Sequence, residues 1–214
     1  MSKEQIIFNA MQIDGMVSEW DLDLIYDLAQ EYIQPKGFAL EIGGWKGRSG
    51  YVIGSVCKEK QAQMYEIDTY RGVEDPFSDK NQPGNLGGYY EAFSNPEFYK
   101  TTQKNLEGLP IIFLIGDSNE MIHKVPDKTI DFIFIDGNHR PPTIDNDIKN
   151  CIQKMRLGGI LTGHDHGNPD GDVHGAVKRV LHDEFIVSVR PLIGDPKYCL
   201  TIWQHIIKES DYEI

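Results

Sequence analysis

"ALEIGGWKGRSG", residues 39–50, is the end of an apolar run, then a glycine-rich turn, then a helix-like segment. The run "FALEI" (38–42) is short, apolar and β-rich, as expected of a strand buried on both faces. Gly43 and Gly47 let the backbone turn tightly and approach a ligand, and the helix that starts there offers free N–H donors. The glycines lack the three-fold spacing of a dinucleotide site. Glu41 near the strand end suits a cation, such as a sulfonium with an α-amino group, better than a pyrophosphate. The alternative is a plain glycine-rich turn that binds nothing.

Outward from this turn the same alternation continues. "QMYEI" (63–67), "IIFLI" (111–115), "DFIFI" (131–135) and "GILT" (159–162) read as further buried strands. Helix-like stretches lie between them: "SGYVIGSVCKEK", "NPEFYKTTQKNLE", "TIDNDIKNCIQKM" and "DVHGAVKRVLHDEF". An earlier one, "SEWDLDLIYDLAQEYI", carries a cap signal at Ser18. This order predicts an α/β fold with a doubly wound, Rossmann-like sheet of about seven strands, mostly parallel. The joint "PLIGDPK" is too short for a crossover helix, so "EFIVSVR" and "YCLTIW" are expected to form an antiparallel pair at the sheet's end. One domain spans 1–214, with an N-terminal helical extension (1–35) and a lid-like insertion (71–95) rich in Gly, Pro and aromatics, among them Tyr89, Tyr90 and Phe93.

With 214 residues, 40% hydrophobic and 25% charged, a globular domain is expected. The net charge of −12 argues against a nucleic-acid partner, which needs a basic face. No run is long enough to span a membrane, and "MSKEQIIFNAMQIDG" has no targeting signal. Cys57, Cys151 and Cys199 are scattered and odd in number, so a reduced, cytoplasmic protein is expected. "IIFNAMQIDGM" could serve as the interface arm of a homodimer.

Other polar groups fall at strand ends. In "YEIDTY", Glu66 and Asp68 share a face, and a carboxylate about 20 residues past the glycines can take both ribose hydroxyls; Asp68 is nearer the tip and Glu66 is the fallback. Asp117 and Ser118 in "LIGDSNEMI" either read an adenine edge or cap the following helix. Residues 163–175, "GHDHGNPDGDVHG", are dense in ligand-type groups. Asp165 follows the fifth strand as Asp136 follows the fourth, so the two can meet in the ligand crevice. Two hard oxygens suit Mg²⁺, and an added imidazole shifts the preference toward transition metals. His164 could instead bond backbone carbonyls. Asp170, Asp172 and His174 read as surface or cap residues, with Asp172 the N-cap of the last long helix.

Together these motifs resemble the class I S-adenosylmethionine-dependent methyltransferases over roughly residues 36–182. "EIGGWKGRSG" is similar to their first motif, "YEID" to the acidic second and "GDS" to the adenine-side motif. The run from "DFIFIDGNHR" to "GHDHG" and "DVHGAVKRV" resembles a bacterial subgroup with Asp-Gly-x-His and Gly-His-Asp motifs, similar to macrocin- and catechol-type O-methyltransferases. The resemblance implies S-adenosylmethionine contacts at Glu41, Gly43, Trp45, Gly47, Ser49, Asp68, Asp117, Ser118 and Asp136. It implies a divalent cation, Mg²⁺ or another, at Asp136, Asp165 and His166, with His139 as general base and a small-molecule hydroxyl as acceptor. Trp45 either flanks the methionine moiety or packs in the core.

Two rivals stand beside this reading. "GDSNE", "GNHR" and "GHDHG" imitate the metal motifs of metallophosphoesterases, although no early Asp-x-His is present. A nucleoside-binding domain without turnover would keep the pocket and lose the chemistry.

Overall fold

A computed structural model describes residues 1–70, 97–168, 171–189 and 201–213. The expected lid with Tyr89, Tyr90 and Phe93, the "PLIGDPK" joint, Asp170 and Cys199 lie outside the described residues.

Seven strands form one sheet: β1 (Phe38–Ile42), β2 (Gln63–Asp68), β3 (Ile111–Ile115), β4 (Ile130–Ile135), β5 (Met155–Gly163), β6 (Ile186–Val189) and β7 (Thr201–Ile206). Their order is β3-β2-β1-β4-β5-β7-β6. The first five are parallel, and β7 runs antiparallel between β5 and β6. The expected terminal pair is present, but its later strand inserts inside the earlier one, leaving β6 at the edge. The winding direction reverses between β1 and β4, and ligands of such sheets bind past the strand ends at that reversal. β4, "IDFIFI", is buried along its whole length because helices cover both faces there.

On one face lie α1 (Lys3–Met11), α2 (Glu19–Tyr32) and α3 (Arg48–Glu59). Ile6, Ile7, Leu22, Ile25, Val52, Ile53 and Val56 share one core with Phe132 and Phe134 of β4. The N-terminal helices are therefore part of the layer, not an appendage to it. On the other face are α6 (Thr143–Lys154) and α7 (Val173–Leu181), whose Ile148, Ile152, Val177 and Val180 pack on Ile133 and Leu161. Two further helices, α4 (Glu97–Asn105) and α5 (Ser118–Met121), stand beside the sheet's ligand end.

Ser18 caps α2 as expected, and Asp21 completes a capping box with it. Asp172 precedes α7 but its side chain makes no cap bond. The carboxylate instead accepts Arg179 Nη1 at 2.8 Å, which draws it away from the helix's first N–H groups. Among the described residues no helix is long and apolar enough to cross a membrane.

Candidate active site

The turn after β1 is pinned from three sides. Gly43 has φ 92°, and a side chain there would collide with the Asp136 carbonyl, so β1 and β4 approach through glycine backbone. Gly44, not singled out from sequence, faces the Glu66 carboxylate just as closely. Asp68 Oδ2 accepts the Trp45 N–H at 2.9 Å, and its Oδ1 accepts that of Tyr70 at 2.7 Å. Thr102 of α4 donates to the Trp45 carbonyl at 2.6 Å, and Asn105 to that of Lys46 at 2.9 Å. From the opposite side Arg48 donates to the carbonyls of Ile13 (2.7 Å) and Val17 (2.9 Å). Trp45 itself takes φ 46°, a backbone state that costs a non-glycine residue about 1–3 kcal/mol and persists where neighbours hold it. Its half-buried ring rests on Phe98 of α4 at 5.8 Å.

Beneath this turn lie two glutamates. Glu41 and Glu66 are register partners on β1 and β2, and both are 0% exposed. Ser49 donates to Glu41 Oε1 and Tyr70 to Glu66 Oε1, each at 2.5 Å. The remaining Oε2 atoms both point toward Gly50 and have no hydrogen-bond partner. Glu41 and Ser49, expected as cofactor contacts, are buried against each other, and a side chain at Gly50 of α3 would press on both Oε2 atoms. Burial and the neighbouring Glu66 charge push the Glu41 carboxyl well up. Burial likewise pushes Glu66 to about 8, against the Tyr70 bond that eases it down. Glu66 is committed to Tyr70, whereas Asp68 is only half-buried, nearer the crevice.

At the end of β3, Asp117 is exposed and caps α5 by accepting the Asn119 N–H at 2.9 Å. Ser118 is half-buried and faces Asp147 of α6. Asp147 is 1% exposed, and its desolvation pushes it to about 7.

The second constellation is assembled at the ends of β4 and β5. His139 Nε2 lies 3.2 Å from Asp165 Oδ2 and 3.6 Å from Asp136 Oδ1. His164 Nδ1 approaches the same two oxygens, at 3.3 and 3.7 Å. The far nitrogen of His164 lies 3.5 Å from Asp21 Oδ2. Asp165 has φ 58°, which folds its carboxylate back beside the adjacent His164, and Asn168 closes that turn with bonds of 3.0 and 3.2 Å. Burial disfavours a charged His164 ring, but Asp136, Asp165 and Asp21 outweigh it and hold the ring well above the usual imidazole range. The same balance raises His139, through its bond to Asp136 and the charge of Asp165. Asp165 is held below its ordinary value, the two imidazoles overcoming its burial. Among the described residues the His164 ring meets no backbone carbonyl; it is an imidazole set between three carboxylates.

His166 does not join them. Its Nε2 meets His174 Nδ1 at 3.1 Å, and its ring stands 5.5 Å from Phe185. Burial, with His174 and Lys178 nearby, depresses it to about 4. Among the described residues the group able to hold a metal is Asp136, His139 and Asp165, with ligand atoms within 4.8 Å of one another. The third position expected for His166 is filled by His139 because the chain, after turning at Asp165, carries His166 toward α7. Asp172 serves this site through its backbone: its N–H donates to the His139 carbonyl at 2.8 Å.

A family described as a methyltransferase domain matches residues 40–166, more than half of the chain, from β1 to just past β5. The chain belongs to that family. Solved structures agree on the fold at low identity. An S-adenosylmethionine-dependent O-methyltransferase from Thermotoga maritima is 15% identical, with a TM-score of 0.62, covering 97% of this chain and 71% of its own. A methyltransferase from Streptococcus mutans, solved with S-adenosylhomocysteine, is 14% identical (TM-score 0.59; 87% and 97% covered). A precorrin-6y C5,15-methyltransferase from Geobacter metallireducens is 11% identical (TM-score 0.61; 92% and 95% covered). The class I methyltransferase fold and the use of S-adenosylmethionine follow from the family. The metallophosphoesterase alternative falls with it, since its three look-alike motifs are the β3, β4 and β5 ends of a methyltransferase sheet.

Three residues of this methyltransferase's site were not found from sequence. Gly44 was hidden inside a motif read for Gly43 and Gly47. Asp147 breaks the apolar stripe Ile144–Ile148–Cys151, a signal that could have marked it. Asp21 carries no motif in the sequence, and only the packing of α2 on the sheet brings it to His164.

Proposed function

We propose that this methyltransferase transfers the methyl group of S-adenosylmethionine to a hydroxyl of a small molecule or sugar. The observation that carries the reading is the His139 ring, half-buried at the crevice with two carboxylates on one of its nitrogens. A proton on Nε2, the nitrogen beside the two carboxylates, leaves the lone pair on Nδ1, as a general base held beside an acid requires. The hydroxyl oxygen attacks the methyl carbon, the C–S bond breaks, and its electron pair stays on sulfur as S-adenosylhomocysteine. The hydroxyl proton passes to His139 Nδ1. Positioning supplies much of the catalysis in such an in-line displacement.

For the cofactor, Asp68 takes the ribose hydroxyls with the acceptor capacity that its backbone N–H bonds from Trp45, Thr69 and Tyr70 leave free. Backbone of Gly43–Gly47 cradles the methionine end, and Ser118 with Asp117 flanks the adenine. The acidic chain, at −12, favours a small acceptor over nucleic acid. The mixed oxygen and nitrogen donors of Asp136, Asp165 and His139 fit a divalent cation of the Mn²⁺ to Co²⁺ kind. Such an ion, when bound, lowers the pKa of a coordinated hydroxyl.

The test is label transfer from tritiated S-adenosylmethionine to a panel of hydroxyl compounds, before and after dialysis against a chelator. Methylated hydroxyl product that survives chelation supports His139 as base. Product lost on chelation and restored by Mn²⁺ moves proton removal to the ion. Transfer to RNA or to carbon, or binding without turnover on any acceptor, contradicts the reading.

A further inference from the structure

The N-terminal helices place one more charged group against this site. Asp21 opens α2, is 0% exposed, and its Oδ2 already accepts the Ser18 N–H (3.1 Å) and hydroxyl (2.5 Å). A capping acid needs no such burial, and taking a carboxylate out of water is costly unless it meets a partner. Its Oδ1 has no hydrogen bond. The one imidazole it faces is His164, 3% exposed, at 3.5 Å. His164 then reaches Asp165 Oδ2 at 3.3 Å, and that same oxygen lies 3.2 Å from His139 Nε2. One carboxylate oxygen is thus shared by two rings, and Asp21 braces the ring on the far side from the crevice.

We propose that Asp21 is a positioning residue: acting through His164, it fixes the Asp165 carboxylate and thereby the orientation and tautomer of the His139 ring. This rests on the reading of His139 as the base. The arrangement follows the general rule that a reacting imidazole is held by an acid, itself held by a further polar shell. Asp21 touches no reacting atom, and α2, so far a structural layer, becomes part of the catalytic scaffold.

The proposal is tested by long-range ¹H–¹⁵N spectra of histidine-labelled full-length protein, with the two rings assigned from His139→Gln and His164→Gln. Asp21→Asn should shift the ring signals of His164 and also of His139, which it does not contact. Ser18→Ala removes the cap partner alone; it should lower Tm and leave the His139 ring unmoved. Asp21→Glu should restore part of the wild-type pattern. In His164→Gln the His139 ring should move as well, and adding Asp21→Asn should then change nothing further. With an acceptor in hand, Asp21→Asn should lower kcat about tenfold with KM for S-adenosylmethionine unchanged. An unmoved His139 ring in folded Asp21→Asn or in His164→Gln overturns the proposal, as does an equal shift in Ser18→Ala. Calorimetry with S-adenosylhomocysteine on the same wild-type sample judges the functional reading separately, because the ring shifts do not depend on it.

Discussion

Glu41 and Glu66 face each other across β1 and β2; Asp136 and Asp165 face each other past the ends of β4 and β5. Both are pairs of acids on neighbouring strands of one sheet, yet they behave oppositely. The glutamates are sealed and meet only hydroxyls of Ser49 and Tyr70, so desolvation wins and both carboxyls are raised. The aspartates lie between two imidazoles, and Asp165 is held low despite burial. Burial alone does not set the charge; the partner does. The first pair is a neutral plug that supports the glycine turn. The second is a cluster of acids and imidazoles beside the crevice, and it is there that we propose the chemistry occurs.

The largest effect expected from this contrast is on turnover. His139→Ala should reduce methyl transfer by about 10²–10⁴-fold while S-adenosylhomocysteine affinity stays within about twofold, read from initial rates and calorimetry. A variant that keeps wild-type kcat would place the chemistry elsewhere.

A middle-sized effect separates the pairs by pH. Glu66 titrates near 8 in the fold and near 4.5 when free, so the native state keeps a proton that the unfolded chain releases. Its contribution is fully present below about pH 4.5 and is lost as pH rises through about 8. Glu66→Gln keeps an acceptor for Tyr70 and removes the titration. Its Tm relative to wild type should therefore climb between pH 5 and pH 8.5, by several degrees or more. Parallel curves across that range would mean the glutamates are not a neutral plug.

The smallest effect belongs to Asp172. Its side chain makes no cap bond, and its contact with Arg179 is exposed. Asp172→Ala should cost under about 0.5 kcal/mol, against roughly 1 kcal/mol for a true N-cap such as Ser18. Equal losses in chemical denaturation would restore the capping role read from the sequence.

The sheet was legible because each parallel strand is a short apolar run with a glycine, proline or acid at its end; all five were read within a few residues. The place of β7 was not, since antiparallel pairing between β5 and β6 leaves no mark on either strand's own pattern. In the site, Asp136, His139 and Asp165 were legible as strand-end groups, and the structure brings them together. His166 was misplaced because sequence density cannot show the positive φ at Asp165 that turns the next residue away. The burial of Glu41 and Ser49 against each other was not legible, because the motif gives their order but not which way the strand face looks. Asp21, 143 positions before His164, has no local signature: its role exists only once α2 packs on the sheet.

The crevice between the glycine turn and the histidine–aspartate cluster is where we propose the cofactor sits, with Asp68 as its anchor. This placement is tested most directly by calorimetric titration of S-adenosylhomocysteine into wild type and Asp68→Ala. Losing charge-assisted bonds worth about 1.5–3 kcal/mol predicts affinity lower by roughly 10–150-fold, with a lower Tm as well because the Trp45 and Tyr70 N–H groups lose their acceptor. Equal affinity in the two proteins would contradict the account.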